Sequence, residues 1–350
     1  MSITVHQRPG VYSDYDVSAL IHGSGRGSVV GLAAVSDQAE KGKVWVVTGQ
    51  QQAEALFGAE HCLSVLSALA LRNGAGAVAC TAVADESGYE EAFELLCARE
   101  DVSVMLCGST ELAVQEKLRD CVLEASASRR ECIGIAAGVG GENVDALIER
   151  AAAINSERMV LVGAGAVEGV SDELAGLKLA AAVAGAVAGQ KDPAIPLGGA
   201  ALKGVSGLAG ICRDADLDRM ILGGVTPVEQ MGGAVSVVRG VTTRTTTDGV
   251  SDPTWRDLCT VLVIDTVIPA LRSSLKNKFR RAKNTPRGRG AIRAQVVLEL
   301  ENFLAKEIIT AYDGVKVTAD EEDPTRALVD FSFTVAHGLN QIWLSAHITV

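Results

Sequence analysis

Met159 to Gly169 (MVLVGAGAVEG) reads as a buried strand running into a GxGxxxG turn, whose glycines would let backbone amides close on a pyrophosphate. In a dinucleotide fold that turn opens the first unit, and an acidic residue ending the next strand follows about 20 residues on. Here the chain instead enters an Ala-rich helix and then GQKDPAIPLGG, with no acid-tipped strand. A plain glycine turn between strand and helix therefore outweighs a nucleotide site. His22 to Gly27 (HGSGRG) lacks the GxxxxGK[ST] pattern and reads as a hinge. The five histidines, His6, His22, His61, His337 and His347, show no HExxH spacing, and Gly204 to Leu208 (GVSGL) lacks the second glycine of a GxSxG elbow. These residues give no catalytic residue, no metal set and no cofactor.

The eight cysteines, at 62, 80, 97, 107, 121, 132, 212 and 259, are dispersed through apolar text without a CxxC pair. Buried, reduced thiols are expected rather than zinc or disulfides. Charge is more informative. The chain carries a formal net charge of −11, which argues against general nucleic-acid affinity, yet 272–293 (RSSLKNKFRRAKNTPRGRGAIR) holds basic residues and no acidic one. On a helix Lys276, Arg280 and Lys283 share a face, and with Arg272, Lys278 and Arg281 they form a directed patch. A helix end favoured by the macrodipole accounts for two or three cations; an anionic partner accounts for the rest better. Nucleic acid is one candidate, although no aromatic platform accompanies the patch.

The elements that would position these residues alternate. Candidate strands are Val29 to Val35, Val44 to Thr48, Ala77 to Val83, Val102 to Cys107, Cys132 to Ala137 and Met159 to Gly163. Between them lie candidate helices Cys62 to Asn73, Tyr89 to Glu100, Glu111 to Ala127 and Asn143 to Asn155. Strand and helix in turn imply a mostly parallel sheet covered on both faces. An Ala-rich helix, Asp172 to Ala188, is expected to be capped by Ser171. A shorter helix, Asp214 to Leu222, and β-rich text from Ala234 to Thr247 follow. Beyond a linker at Asp248 to Pro253, helical patterns at Trp255 to Lys283 and Ala291 to Ala311 and a strand at Val315 to Ala319 predict an α+β domain. The length of 350 residues suits two domains. No uninterrupted apolar run approaches the roughly 18 to 20 residues of a membrane span, and the start lacks a basic and apolar leader, so a cytoplasmic chain is expected.

The final stretch raises the sharpest question. Val329, Phe331, Phe333 and Val335 alternate with polar residues, and after Gly338 to Asn340 the alternation resumes with Ile342, Leu344, Ala346, Ile348 and Val350 on one face. An apolar-patterned strand at a chain end needs a partner. A local hairpin is one answer, and strand addition to another subunit is the other. At the opposite end, Ile3 and Val5 begin an extended arm spanning 1–27.

Several stretches in order resemble the contractile tail sheath family of myophage tails, R-type bacteriocins and related injection systems. They are Arg8-Pro9-Gly10-Val11-Tyr12, Pro196 to Gly199 with Leu208 to Gly210, and Asp216 to Met220 with Leu222 to Val225. Gly233 to Arg239, Gly240 to Arg244, Trp255 to Leu258 and the two terminal β runs complete the match. The resemblance implies a subtilisin-like, doubly wound α/β domain at 28–250 without a working triad. It also implies a C-terminal α+β domain at 251–350, including a C-terminal arm at 338–350. It further implies arms that exchange strands with neighbouring subunits (Ile3, Val5, Ile342, Leu344, Ala346, Ile348) and stacked, hexameric rings around a tail tube. The partners implied are further copies of the chain, the tube protein, and baseplate and terminator proteins, with no membrane insertion and no nucleic acid. Assembly would be cytoplasmic, and the product part of a virion or a released particle, phage or bacteriocin. An enzyme using the Gly163 to Gly169 turn, and a nucleic-acid binder using Arg272 to Arg293, are the competing readings.

Overall fold

The structure, a computed structural model, describes residues 28–163, 174–205, 207–208 and 212–348. The first half alternates as β1 (Val29–Val35), β2 (Val44–Val47), α1 (Gln50–Phe57), α2 (Cys62–Arg72), β3 (Ala77–Val83) and α3 (Tyr89–Cys97). Next come β4 (Val102–Cys107), α4 (Leu112–Ala127), β5 (Ile133–Ala137), α5 (Val144–Ile154) and β6 (Met159–Gly163). The middle contains α6 (Ala175–Gly189), α7 (Asp214–Leu222), β7 (Val225–Met231), β8 (Ala234–Val237) and the small pair β9 (Thr246–Thr247) and β10 (Val250–Ser251). The last part is α8 (Leu258–Phe279), α9 (Pro286–Ala305), β11 (Ile309–Ala319) and β12 (Ala327–Val335).

Strands β1 to β8 form one sheet in the order β2-β3-β1-β4-β5-β6-β7-β8. The inner pairings from β3 to β7 are parallel, and antiparallel β2 and β8 form the two edges. The period-2 geometry of a strand explains how continuous apolar runs cover two faces at once. Val30, Leu32 and Ala34 of β1, Val104 and Leu106 of β4, and Val160 and Val162 of β6 enter one core with α1, α2 and α6. Their neighbours Ala33, Met105, Cys107, Met159 and Leu161 enter a second core with α3, α4, α5 and α7. The expected parallel-rich sheet between helical layers is therefore present. One approach requires glycine: a Cβ at Gly185 in α6 would lie 2.2 Å from the carbonyl oxygen of Ala70 in α2.

Local chemistry fixes the helix starts. The His61 Nδ1 accepts from the Leu63 amide at 3.2 Å, and Asn143 Oδ1 accepts from the Ala146 amide at 2.9 Å. Thr285 caps α9, with Pro286 in its first turn, where a missing N–H costs nothing. The expected Ser171 cap of α6 lies outside the described residues.

The C-terminal part builds a third core from Val263, Val267, Leu271, Val296, Leu300, Phe303 and Ile309, against which Val329, Phe331 and Phe333 pack. Helix α8 joins the two parts, because its opening residues Leu258, Val261 and Leu262 belong to the first core. Two ion pairs reinforce the junction. Arg158, just before β6, reaches the buried Asp265 at 2.5 Å, and Glu131, just before β5, receives Arg272 at 2.7 Å. By length and composition α8 passes as a membrane span, unlike any run singled out in the sequence; half of its most apolar window is buried inside the protein.

Several elements differ from expectation. Helix α1 and strand β7 were not anticipated, and α9 runs over 286–305 rather than 291–311, since β11 already begins at Ile309. The terminal stretch makes no local hairpin. Residues 336–348 form neither helix nor strand and take no part in the β ladders of the described residues.

Candidate assembly surfaces

Strands β11 and β12 make a two-stranded antiparallel sheet, with Tyr312 opposite Phe333 and Val317 opposite Val329. In β12 the alternating residues Ala327, Val329, Phe331, Phe333 and Val335 are half-buried while those between are exposed. One face thus covers α8 and α9, and the rings of Phe331 and Phe333 stack at 6.3 Å. Each strand has one partner among the described residues, so each also presents an open edge. The chain leaves β12 after the Ala336 amide bonds to the Ile308 carbonyl, and at Gly338 it passes Pro196 so closely that a Cβ would sit 2.8 Å from that ring. Beyond this point the apolar side chains are uncovered: Ile342 is 81% exposed, Trp343 91%, Leu344 92% and Ile348 85%. Ala346 is exposed with them. The arm residues Ile3 and Val5, and the Arg8 to Tyr12 stretch, lie outside the described residues.

The basic patch is reshaped by folding. Helix α8 stops at Phe279, so Lys283 does not share a helical face with Lys276 and Arg280; it stands in the turn between α8 and α9. Arg272 is spent on Glu131, and Lys278 Nζ donates to Gln295 Oε1 at 2.5 Å. Arg289 donates to Asn284, and Arg293 to the Val315 carbonyl. Among the described residues, the side chains of Lys276, Arg280, Arg281, Lys283 and Arg287 are exposed and have no hydrogen-bond or ion-pair partner. The directed charge is therefore the tip of the α8–α9 hairpin. At its base, the Glu131 carboxyl is held below its ordinary value: burial alone would raise it, and the Arg272 hydrogen bond and charge overcome that.

Of the proposed nucleotide turn, only Gly163 is described. A Cβ there would meet the Leu147 methyl of α5 at 2.8 Å and the Val225 methyl of β7 at 3.0 Å, so close packing of the sheet accounts for a small residue at this position. His61 serves as a helix cap, while His337 and His347 are exposed. Five cysteines are buried as expected, but Cys62, Cys121 and Cys212 are only half-buried.

Residues 250–349 match the family described as the phage tail sheath C-terminal domain. The likeness of fold extends beyond these residues. A chain of the contracted helical sheath of the anti-feeding prophage superposes with a TM-score of 0.71 at 14% identity, covering 98% of this chain and 99% of that one. The sheath tail protein of Desulfitobacterium hafniense gives 0.69 at 12% identity, covering 93% and 100%. A chain of the six-fold symmetrised anti-feeding prophage baseplate gives 0.70 at 16%, covering 99% and 100%. No curated protein sequence matches the chain. The hairpin tip and the tail to residue 348 fall within the matched residues, whereas the glycine turn lies outside them.

Proposed function

We propose that the chain is a structural subunit of a contractile injection system's sheath and not an enzyme. It polymerises into stacked, hexameric rings around a tail tube and contracts to drive that tube through a target envelope. The observation that carries this reading is the uncovered apolar run from Ile342 to Ile348, which follows a two-stranded sheet with open edges inside a sheath domain. Strand addition would cover both at once. The ladder satisfies backbone groups at about 0.5 to 1.5 kcal/mol net per hydrogen bond, and full burial of each large apolar side chain adds about 1.5 to 3 kcal/mol.

In this reading the chain is divided into an arm at 1–27, a subtilisin-like α/β domain at 28–250 and the sheath domain at 251–350 with its own arm at 338–350. Ile342, Leu344, Ala346 and Ile348 form the strand donated to a neighbour, with Ile3 and Val5 contributing the other exchanged segment. The cationic tip, with Lys276, Arg280, Arg281 and Lys283, faces an acidic tube, and Arg272 and Lys278 brace the hairpin behind it. Exposed charge pairs of about 0.2 to 1 kcal/mol each hold when summed over a ring, yet release on contraction. Baseplate and terminator proteins complete the ends, and assembly in the cytoplasm precedes release in a virion or tail-like particle. Electron microscopy of the purified chain at high concentration, without nucleotide, tests the proposal. Hollow helical tubes are expected; a persistent monomer, or assembly that requires a nucleotide, overturns it.

A further inference from the structure

The eight-stranded sheet ends in β2 and β8, and the chain itself covers both of these edges. Along β8 the stretch 199–202 runs as a short antiparallel cover. Ala201 bridges Ser236, the Leu202 amide donates to the Val235 carbonyl at 2.8 Å, and the Val237 amide donates to the Ala200 carbonyl at 3.1 Å. Asn73, at the end of α2, anchors this cover: its side-chain amide donates to the Lys203 carbonyl at 2.9 Å and accepts from the Lys203 amide at 2.8 Å.

At β2 a single side chain does this. Gln52 Nε2, in α1, donates to the Val46 carbonyl at 3.2 Å, and Gln52 Oε1 accepts from the Thr48 amide at 3.0 Å and from the Thr48 hydroxyl at 3.3 Å. Backbone groups two residues apart lie on the same edge of a strand, and β3 fills the other edge of β2. One residue of an added parallel strand would present its N–H to the Val46 carbonyl and its C=O to the Thr48 amide. The Gln52 amide stands in the place of that residue. Without it β2 would invite pairing, since its text VWVV is wholly apolar and β-prone and Val46 is 39% exposed. Lys41 and Lys43 stand exposed just before it, with Lys43 Nζ 4.0 Å from the Trp45 ring centroid, and lysines blunt an edge further.

The small sheet is treated differently. On β11 the Arg293 side chain bonds to the Val315 carbonyl beside the register shift, and on β12 the Thr334 carbonyl accepts from the Thr310 hydroxyl of β11 itself. Among the described residues, no paired segment and no two-point amide covers either strand. We propose that Gln52 determines where a donated strand docks: by filling the β2 edge it keeps the central sheet from accepting the 342–348 segment of another copy, and it leaves the β11–β12 sheet as the acceptor. This assignment rests on the strand-addition reading above, and the two fail by different results.

The test uses the full chain, diluted to monomer, and a fluorescent peptide with the sequence of residues 339–350; anisotropy reads binding and amide hydrogen exchange reads its place. In the parent the peptide should protect an edge of β11–β12 and leave the exchange of 44–48 unchanged. In Q52A, a substitution at an exposed helix position, a second peptide should bind and the Val46 and Thr48 amides should slow about tenfold when it does. Q52E, which still accepts from Thr48 but sets a carboxylate against the Val46 carbonyl, should admit the second peptide too, and it decides the matter should Q52A fail to fold. Peptide protection of 44–48 in the parent, or a folded variant whose β2 stays unprotected at saturating peptide, overturns the assignment of Gln52. Protection of β2 in the variants with none at β11–β12 in any form would uphold Gln52 as the guard of its edge and overturn β11–β12 as the acceptor.

Discussion

The central sheet and the terminal tail are built from the same residue types, yet their surroundings are opposite. Leu32, Val104, Leu106 and Val160 are wholly buried between helical layers, whereas Ile342, Leu344 and Ile348, equally apolar and also spaced for a strand, stand almost fully in solvent. An apolar pattern states that a surface must be covered; it does not state that its own chain will cover it. The α/β layers close on themselves because every strand from β3 to β7 has a neighbour on both sides. The C-terminal part ends with two open edges and a patterned segment that the described residues of its own subunit leave uncovered.

The largest effects on the lone chain should come from the closed region. R158M, which removes one partner of the buried Arg158–Asp265 pair at the junction, should cost about 3 to 5 kcal/mol in denaturant unfolding. L106A, which opens a cavity between β4 and its helical layer, should cost about 2 to 5 kcal/mol by the same measurement. If either were neutral, the closed character of the region would be in doubt.

The Glu131–Arg272 pair gives a smaller effect that depends on pH. Because the folded carboxyl lies below its ordinary value of 4.5, the pair's contribution is fully present above that value and fades as pH falls through 4.5 toward the lowered folded value. Unfolding titrated across this window should lose that slope in R272M. Deletion of 341–350 should change the stability of the lone chain by less than about 0.5 kcal/mol, since the side chains of 341–348 are exposed there, while abolishing long polymers. The least change to the subunit is expected from K276E/R280E/K283E, which should unfold like the parent and form empty sheath, but co-sediment poorly with an acidic tube. Salt should weaken the parent's contact likewise, exposed charges being screened within about 8 to 10 Å. A triple variant that retained its tube, with neither form responding to salt, would assign the tip to another partner.

How far the sequence could be read follows from the same contrast. Strands β1, β3, β4 and β6 were legible to the residue because their runs are apolar at nearly every position. Strand β7 was hidden by Pro227 and Glu229-Gln230, although Pro227 sits at the last pairing with β6, where its missing N–H interrupts little. Helix α1, QQQAEALF, has only Ala53 and Phe57 buried and so little periodicity to detect. In the basic stretch the charges were plain, but their consumption was not: Arg272 finds a glutamate 141 positions earlier, a contact that only folding creates. The tail's alternation was visible, while the absence of a ladder within its own subunit was not.

Amide hydrogen exchange of the tail, compared between dilute subunit and assembled polymer, tests the exchanged strand most directly. In the subunit, residues 339–348 should exchange as open backbone, having no ladder to protect them. In the polymer, protection should rise along 342–348 at alternate amides, and with it along one outer edge of the β11–β12 sheet. Polymers in which the tail exchanged as fast as in the free subunit would contradict the account, since the strand would then remain unpaired and another surface would have to hold the assembly together.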